Sequence, residues 1–273
     1  MMGPGIDLPL VDAAGVPIAD GSMTLIDEVR GPKRDGCSVA RVRLDRTLLA
    51  LKHHRLFRWK QRIPATLGRS RLANERRMLL RARSAGLPVA ELIAVGQRRR
   101  WGLVVEQVLL VRWMEHHVTM TQRIRDAAEQ GRRAALRKAG PALAELLAQM
   151  RRASIADRDF GPHNLLVDEK TADFAAPVWI DLEAAYEAGP DDRGDTLLTL
   201  AGTLASWWYC CREDQAELQA VFDAVCRALP EPPGGWRALL EPLNKIVLHR
   251  SRKQLRVGSI QTVPEPVRLT SNG

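Results

Sequence analysis

The chain of 273 residues contains four cysteines, no CxxC pair and no Cys/His ligand spacing. That excludes the common zinc modules and a disulfide-stapled framework. Cys210 and Cys211 are adjacent in an apolar run; these two, Cys37 and Cys226 are expected to be buried free thiols in a reducing cytoplasm. The histidine pairs His53-His54 and His116-His117 do not suggest a metal centre, because neighbouring side chains on a strand point to opposite faces. The opening residues MMGPGIDLPLVD lack a basic n-region and an apolar h-region, so no secretion signal is read there. The longest apolar stretch, Leu197 to Cys211, is shorter than the ~18–20 residues of a membrane span and reads as a buried helix. No internal repeat, no long low-complexity segment and no Gly-x-Gly-x-x-Gly motif occur.

What is present is an ordinary globular composition, 45% hydrophobic and 27% charged. The length fits one large domain or two lobes around a cleft. Lys and Arg number 41 against 32 Asp and Glu, a net charge of +9. Such a balance implies an anionic partner: a phosphorylated small molecule, a nucleic acid or an anionic membrane surface.

Three β-rich segments come first, MTLIDEV, SVARVRL and TLLALKH, punctuated by Gly31, Pro32, Asp35 and Gly36 and then by Asp45-Arg46. They predict an antiparallel meander. HHRLFRWKQR follows as an exposed, mobile basic segment. SRLANERRMLLRARS predicts a helix from Ser70 to Ser84, stopped at Gly86. LPVAELIAVG and WGLVVEQVLLV predict two more strands joined by a turn at QRRR. After Trp113 the chain turns helical: residues 119–153, with Pro141 starting a second segment, then a helix over Leu197–Cys211 and two more helices at AELQAVFDAVCRAL and GWRALLEPLNKIVLHRSRKQL. VWIDLEAA is a short strand ending in Asp181. The fold class is therefore α+β. Its expected parts are a small β-rich lobe with one helix, residues 1–106, and a larger helical lobe, residues 107–273.

SIADRDFGPHNLLVD is too polar for a core strand and too punctuated for a helix. Asp159 is followed five positions later by Asn164, and Asp181 ends a strand beyond it. Upstream, Lys52 ends the third strand and Glu75 lies in the next helix. Phosphoryl transfer from ATP requires this set: a Lys on the phosphates, an acid to fix it, a carboxylate for the attacking hydroxyl, and hard oxygen ligands for magnesium. The D-x-x-x-x-N spacing lets one loop present two of these groups. Lys60 is a rival to Lys52, disfavoured because RLFRWK reads as a loop. For Glu75 the competing reading is a charged surface face.

Four pieces taken in order, TLLALKHH, RSRLANERRMLLRARSAGLPVAELIAVG, DRDFGPHNLLV and WIDLEAA, resemble the protein-kinase-like superfamily. More narrowly, they resemble bacterial lipopolysaccharide core kinases, which phosphorylate Kdo or heptose sugars. The resemblance spans residues 47–187. It implies a bilobal kinase-like fold using ATP and Mg2+, with Asp159 as the catalytic base and Asn164 and Asp181 as magnesium ligands. It implies that Lys52 contacts the phosphates and pairs with Glu75. The end of VVEQV, near Glu106 and Gln107, becomes the hinge whose backbone binds adenine. Asp195 becomes a helix cap that braces the catalytic loop, and His163 orients that loop. The chain departs from the pattern at Asp157, where relatives commonly carry His. It departs again at Glu183, where protein kinases carry Gly. In place of a Gly-rich loop it has Gly31 to Gly36, with Lys33 or Arg34 in the place of glycine amides.

The resemblance implies a cytoplasmic protein, peripheral on the inner face of the cytoplasmic membrane. It implies an anionic glycolipid or small phosphorylated sugar as acceptor, no nucleic acid, and a monomer. A small-molecule kinase of the aminoglycoside or choline type shares the IDLEAA motif, and a non-catalytic kinase-like stress-response protein is the third reading. The last helix, with His249, Arg250, Arg252, Lys253 and Arg256 beside Ile246, Val247 and Leu248, reads as a membrane-lying segment or a solvated helix face.

Overall fold

Period-two alternation builds the first hairpin. In β3 (Cys37–Leu44) it buries Ala40, Val42 and Leu44, and in β4 (Thr47–Arg55) it buries Leu49 and Leu51. The two strands meet at a tight turn in which Asp45 takes φ 53°, a left-handed conformation that Asp tolerates. This hairpin belongs to a computed structural model that describes residues 9–18, 23–31, 36–127, 129–170, 174, 176–189, 193–210, 215–232, 234–256 and 267–269. The chain divides into two compact units, Met1–Ser84 with Val89–Glu115, and Ala85–Pro88 with His116–Gly273.

Unit 1 is a six-stranded antiparallel sheet. Besides β3 and β4 it contains β1 (Leu10–Asp12), β2 (Met23–Arg30), β5 (Leu92–Arg100) and β6 (Leu103–Arg112), in the order β1-β5-β6-β4-β3-β2. Ala94, Val108 and Leu110 join the hairpin residues in one core cluster. The short β1, unanticipated from sequence, pairs with β5. Edge strand β2 is almost wholly exposed, and its register with β3 shifts twice, between Leu25 and Asp27 and between Glu28 and Arg30.

The described residues of unit 1 form two helices, not one. The segment expected to be mobile is ordered: its start completes β4, and Trp59–Thr66 form α1. Leu56, Ala65 and Val104 make a small second core under this helix, and the Thr66 hydroxyl accepts the Val104 N–H at 2.9 Å. Polarity alone hid the helix, whose buried contact is one small Ala65. α2 (Arg71–Ser84) is the expected helix, capped by the Ser70 hydroxyl on Ala73 N–H. QRRR is not the turn between β5 and β6; the strand runs to Arg100 and the turn is Trp101-Gly102, both at positive φ.

Unit 2 is mainly helical: α3 (Met120–Asp126), α4 (Glu129–Arg152), α5 (Arg193–Cys210), α6 (Gln215–Ala228) and α7 (Leu240–Arg256). Pro141 lies inside α4 and does not start a new segment. It forgoes one helical hydrogen bond, and the burial of Leu136, Ala139, Leu143 and Ala144 holds the helix through it. Two small sheets complete the unit: β7 (His117–Thr119), β9 (Leu165–Asp168) and β10 (Val178–Trp179) form one, and β8 (Ile155–Asp157) and β11 (Ala185–Glu187) the other. VWIDLEAA is thus only partly strand, giving way to a 3-10 turn at Leu182–Ala184. Trp207 is fully buried and Trp208 nearly so, as core. Cys210 is buried, but Cys37 and Cys226 are half-buried, and Cys211 lies outside the described residues. No helix among the described residues is long and apolar enough to cross a membrane.

Gly36 closes the β3 end of the sheet. It has φ +86°, and an added Cβ would fall 2.2 Å from the Arg55 carbonyl oxygen, an oxygen on rigid strand backbone. Gly36→Ala is expected to cost at least about 2 kcal/mol, from left-handed strain plus overpacking. A lowered denaturation midpoint would show it.

Candidate active site

In unit 1 the sheet and α2 bring two of the sequence-derived residues together. Leu72, Glu75, Met78, Leu79 and Ala82 form the buried face of α2, so Glu75 stands on the apolar stripe and not on a solvated charged face. Lys52 projects from β4 and its Nζ lies 2.6 Å from Glu75 Oε1. The side chains are 12% and 2% exposed, so water screens this ion pair little, and removing one partner of such a pair typically costs about 3–5 kcal/mol. Lys60 is an exposed residue of α1, and it is Lys52 that Glu75 holds.

Glu106 and Gln107 sit elsewhere than expected. β6 continues to Arg112, so both are in mid-strand, paired to β4 on one side and β5 on the other. Their backbone is engaged by the sheet. Glu106 is the centre of a charge cluster instead, 2.6 Å from Arg98 and 3.6 Å from Arg55, and Gln107 is buried opposite His54. A run of apolar and β-branched residues gives no sign of where a strand stops, which is why the end was misplaced. Lys33 and Arg34 lie outside the described residues.

In unit 2 the catalytic-loop candidates are held by backbone. Pro162–Asn164 form a 3-10 turn, and the Asn164 N–H donates to the Gly161 carbonyl at 2.9 Å. The Asn164 side-chain nitrogen donates to the Asp159 carbonyl at 3.0 Å. Its main-chain carbonyl accepts the Ile180 N–H at 2.9 Å, which ties the loop to the residue just before Asp181. Asp181 itself has φ 62° and ψ 56°, a strained left-handed backbone of the kind that clusters at functional sites. The Asp159 side chain is 60% exposed, and His163 Nε2 lies 3.5 Å from its Oδ1. His163 therefore stands beside the carboxylate in an orienting position.

The loop rests on α5 through contacts that sequence reading missed. Thr199 Oγ1 accepts the Asp157 N–H, and Thr203 Oγ1 donates to the Phe160 carbonyl. At Gly161 a Cβ would come within 2.9 Å of Ser206, so the chain passes this helix too closely for a side chain. The signal was available: Thr199, Thr203 and Ser206 form a polar stripe at helical spacing in an otherwise apolar segment. Asp195 was expected to brace the loop; its side chain lies outside the described residues.

A family model described as "Lipopolysaccharide kinase (Kdo/WaaP) family" matches residues 29–195. The chain belongs to this family. It is therefore a lipopolysaccharide-kinase relative, and a kinase. A solved structure described as WaaP in complex with acyl carrier protein is 19% identical, with a TM-score of 0.57 over 85% of this chain and 89% of that one. The BubR1 kinase domain is 11% identical, with a TM-score of 0.53 over 71% of this chain and 63% of that one. At such identity these two establish the kinase fold alone. No curated protein matches the chain.

This Kdo/WaaP-family chain buries Asp157 completely. Its Oδ1 accepts the Asp159 N–H at 2.8 Å, and its Oδ2 is buried with no hydrogen-bond partner among the described residues. Burial pushes the carboxyl up to about 7; the charges of Asp159 and Asp181 act in the same direction, while the Asp159 N–H and His163 oppose it. The folded state thus holds this proton more tightly than the unfolded chain. The stabilisation is full below about pH 4 and is lost as pH rises through about 7, a span on the order of 4 kcal/mol. Asp157→Asn retains an oxygen for the Asp159 N–H and removes the titration. Melting curves should show the parent losing stability from pH 5 to 8 and the variant losing less, ending as the more stable of the two. Parallel profiles would refute the assignment.

Proposed function

We propose that this Kdo/WaaP-family kinase transfers the γ-phosphoryl group of ATP to a sugar hydroxyl of the lipopolysaccharide inner core, on Kdo or heptose. The observation that carries the reading is the single loop of unit 2, which presents Asp159 to solvent while fastening Asn164 and, through Ile180, the position of Asp181. Family membership favours this acceptor class over the aminoglycoside or choline type.

Each residue then has a chemical task. Asp159 accepts the proton of the sugar hydroxyl as its oxygen bonds to the γ-phosphorus and the bond to the β,γ-bridging oxygen breaks, releasing ADP. His163 orients the Asp159 carboxylate. Lys52, held by Glu75, neutralises the α- and β-phosphates. Asn164 has committed its amide nitrogen to the Asp159 carbonyl, which leaves the amide oxygen as an acceptor. With the Asp181 carboxylate it makes a hard oxygen pair suited to Mg2+. When bound, that ion would supply charge neutralisation for the phosphates. The adenine-binding backbone is reassigned from Glu106 and Gln107 to Met114 and Glu115, beyond the true end of β6 and beyond Trp113, whose N–H already donates to the Leu48 carbonyl. A glycolipid acceptor places the enzyme on the cytoplasmic face of the membrane, where ATP is available.

Purified core-sugar acceptors and labelled ATP provide the test. Asp159→Asn should lower kcat by roughly 10²–10⁴-fold with little change in ATP affinity; unchanged turnover would remove the base assignment. Asp181→Asn should fold normally, since Asn accepts the left-handed conformation, yet lose magnesium-dependent nucleotide binding. An Asp181→Asn variant that binds MgATP as the parent does would exclude Asp181 as a ligand.

A further inference from the structure

Between residues 46 and 74 the chain has eight Lys or Arg and no Asp or Glu. In unit 1 this stretch ends β4 and forms α1, and it faces a second basic run, Arg98-Arg99-Arg100, at the end of β5. Together they line a concave site of about 500 Å³, walled by Arg55, Arg62, Arg98, Arg99, Arg100 and Phe57. Glu106 is the one acid in that wall, and it is taken up by Arg98 and Arg55. Arg62 reaches the Leu56 carbonyl and Arg99 the Gly102 carbonyl; no carboxylate among the described residues pairs with either, or with Arg100.

Around this site lies apolar surface that a soluble domain would be expected to bury. Trp59 and Ile63 on the outer side of α1 and its C-cap residue Leu67 recur every four residues and are 63%, 50% and 66% exposed. Phe57 stands at the helix entry, 64% exposed, and Trp101 at the β5–β6 turn, 82% exposed. The bond from Val104 N–H to Thr66 fixes the end of α1 beside that turn, so the five side chains share one region. Arg100 stacks on Trp101 at 4.4 Å, joining an apolar ring to a cation at the tip.

We propose that this face of unit 1 docks on a lipid bilayer rich in anionic headgroups. The arginine-lined concavity takes headgroup phosphates, and Phe57, Trp59, Ile63, Leu67 and Trp101 enter the acyl boundary. The apolar stripe is the outer, convex side of a helix, which a bilayer accommodates and a nucleic-acid phosphate backbone does not: Ile63 and Leu67 have no partner there. Charge complementarity selects anionic over zwitterionic lipid. α7 is the weaker candidate, because Leu243 and Val247 on its apolar side are buried in unit 2 and Arg250 is bound to the Ser206 hydroxyl. The inference deepens the glycolipid reading, on which it rests for its purpose: it names the surface by which the enzyme meets a membrane-held acceptor.

The test is flotation of the full chain with vesicles of phosphatidylcholine alone, or of phosphatidylcholine mixed with phosphatidylglycerol, without acceptor or nucleotide. Binding is expected only to the mixed vesicles, weakening with salt. Lys60→Gln, Arg99→Gln and Arg100→Gln should each lower partition about fivefold. Trp59→Ser with Ile63→Ser should abolish it, and because both residues are exposed the double variant should melt like the parent. Brominated acyl chains should quench the parent's tryptophan emission and quench it less in Trp59→Phe. Absence of binding, equal binding to both vesicle types, or binding unaffected by these variants overturns the proposal. So does capture of an acidic protein such as acyl carrier protein by this face while vesicles go unbound. Turnover on a solubilised core sugar by the double variant would leave the catalytic reading standing whichever way the vesicles behave.

Discussion

The Asp157 carboxyl accepts the amide of Asp159 from a place with no access to water. Everything in the catalytic loop hangs from that contact and its neighbours. Asp159 as the proposed base is useful only if its backbone cannot wander, and here the backbone is tied down on three sides: by Asp157, by Thr199 and Thr203 of α5, and by the Asn164 amide. The restraints are buried while the reactive side chain is not. This separates rigidity, which needs a dry interior, from reactivity, which needs an open face.

The same division of labour runs through unit 1. In the proposed reaction Lys52 presents a positive charge to phosphates, and it is held by a glutamate drawn from the apolar face of α2. The β3–β4 and β4–β6 ladders that carry Lys52 run without a register shift, which fixes the strand from which it projects. The large basic surplus of the chain is not spread evenly; much of it is gathered at α1 and the β5–β6 turn, on residues whose guanidiniums reach carbonyls or solvent.

How much of this could be read in the residues depended on what kind of signal each part leaves. The meander and α2 were legible because period-two and helical burial patterns write themselves into the chain. The loop could be singled out because the chemistry proposed for it requires particular residue types at fixed spacing. Glu106 and Gln107 are not at the strand end because that end is set by where the partners stop, and β6 keeps β5 as far as Val111 and β4 as far as Arg112. α1 leaves little helical signal in the chain, because its outward face is basic and aromatic and its inward face is little more than Ala65. Pro141 was read as a helix start, but tertiary burial on both sides of it outweighed the lost hydrogen bond. Thr199 and Thr203 stand out in the chain as part of a polar stripe, but the stripe does not say which loop α5 touches.

Strand β2 carries a consequence of its own. Among the described residues it has a partner on one side only, and it exposes Leu25, Ile26 and Val29. A straight edge with those side chains would be a template on which a second chain could add, the first step toward a fibril. The two register shifts break its line of free amides, and Asp27, Glu28 and Arg30 interleave charge among the apolar groups. The irregularity that makes β2 a poor strand thus serves the protein as protection against self-assembly, at an edge that folding leaves open.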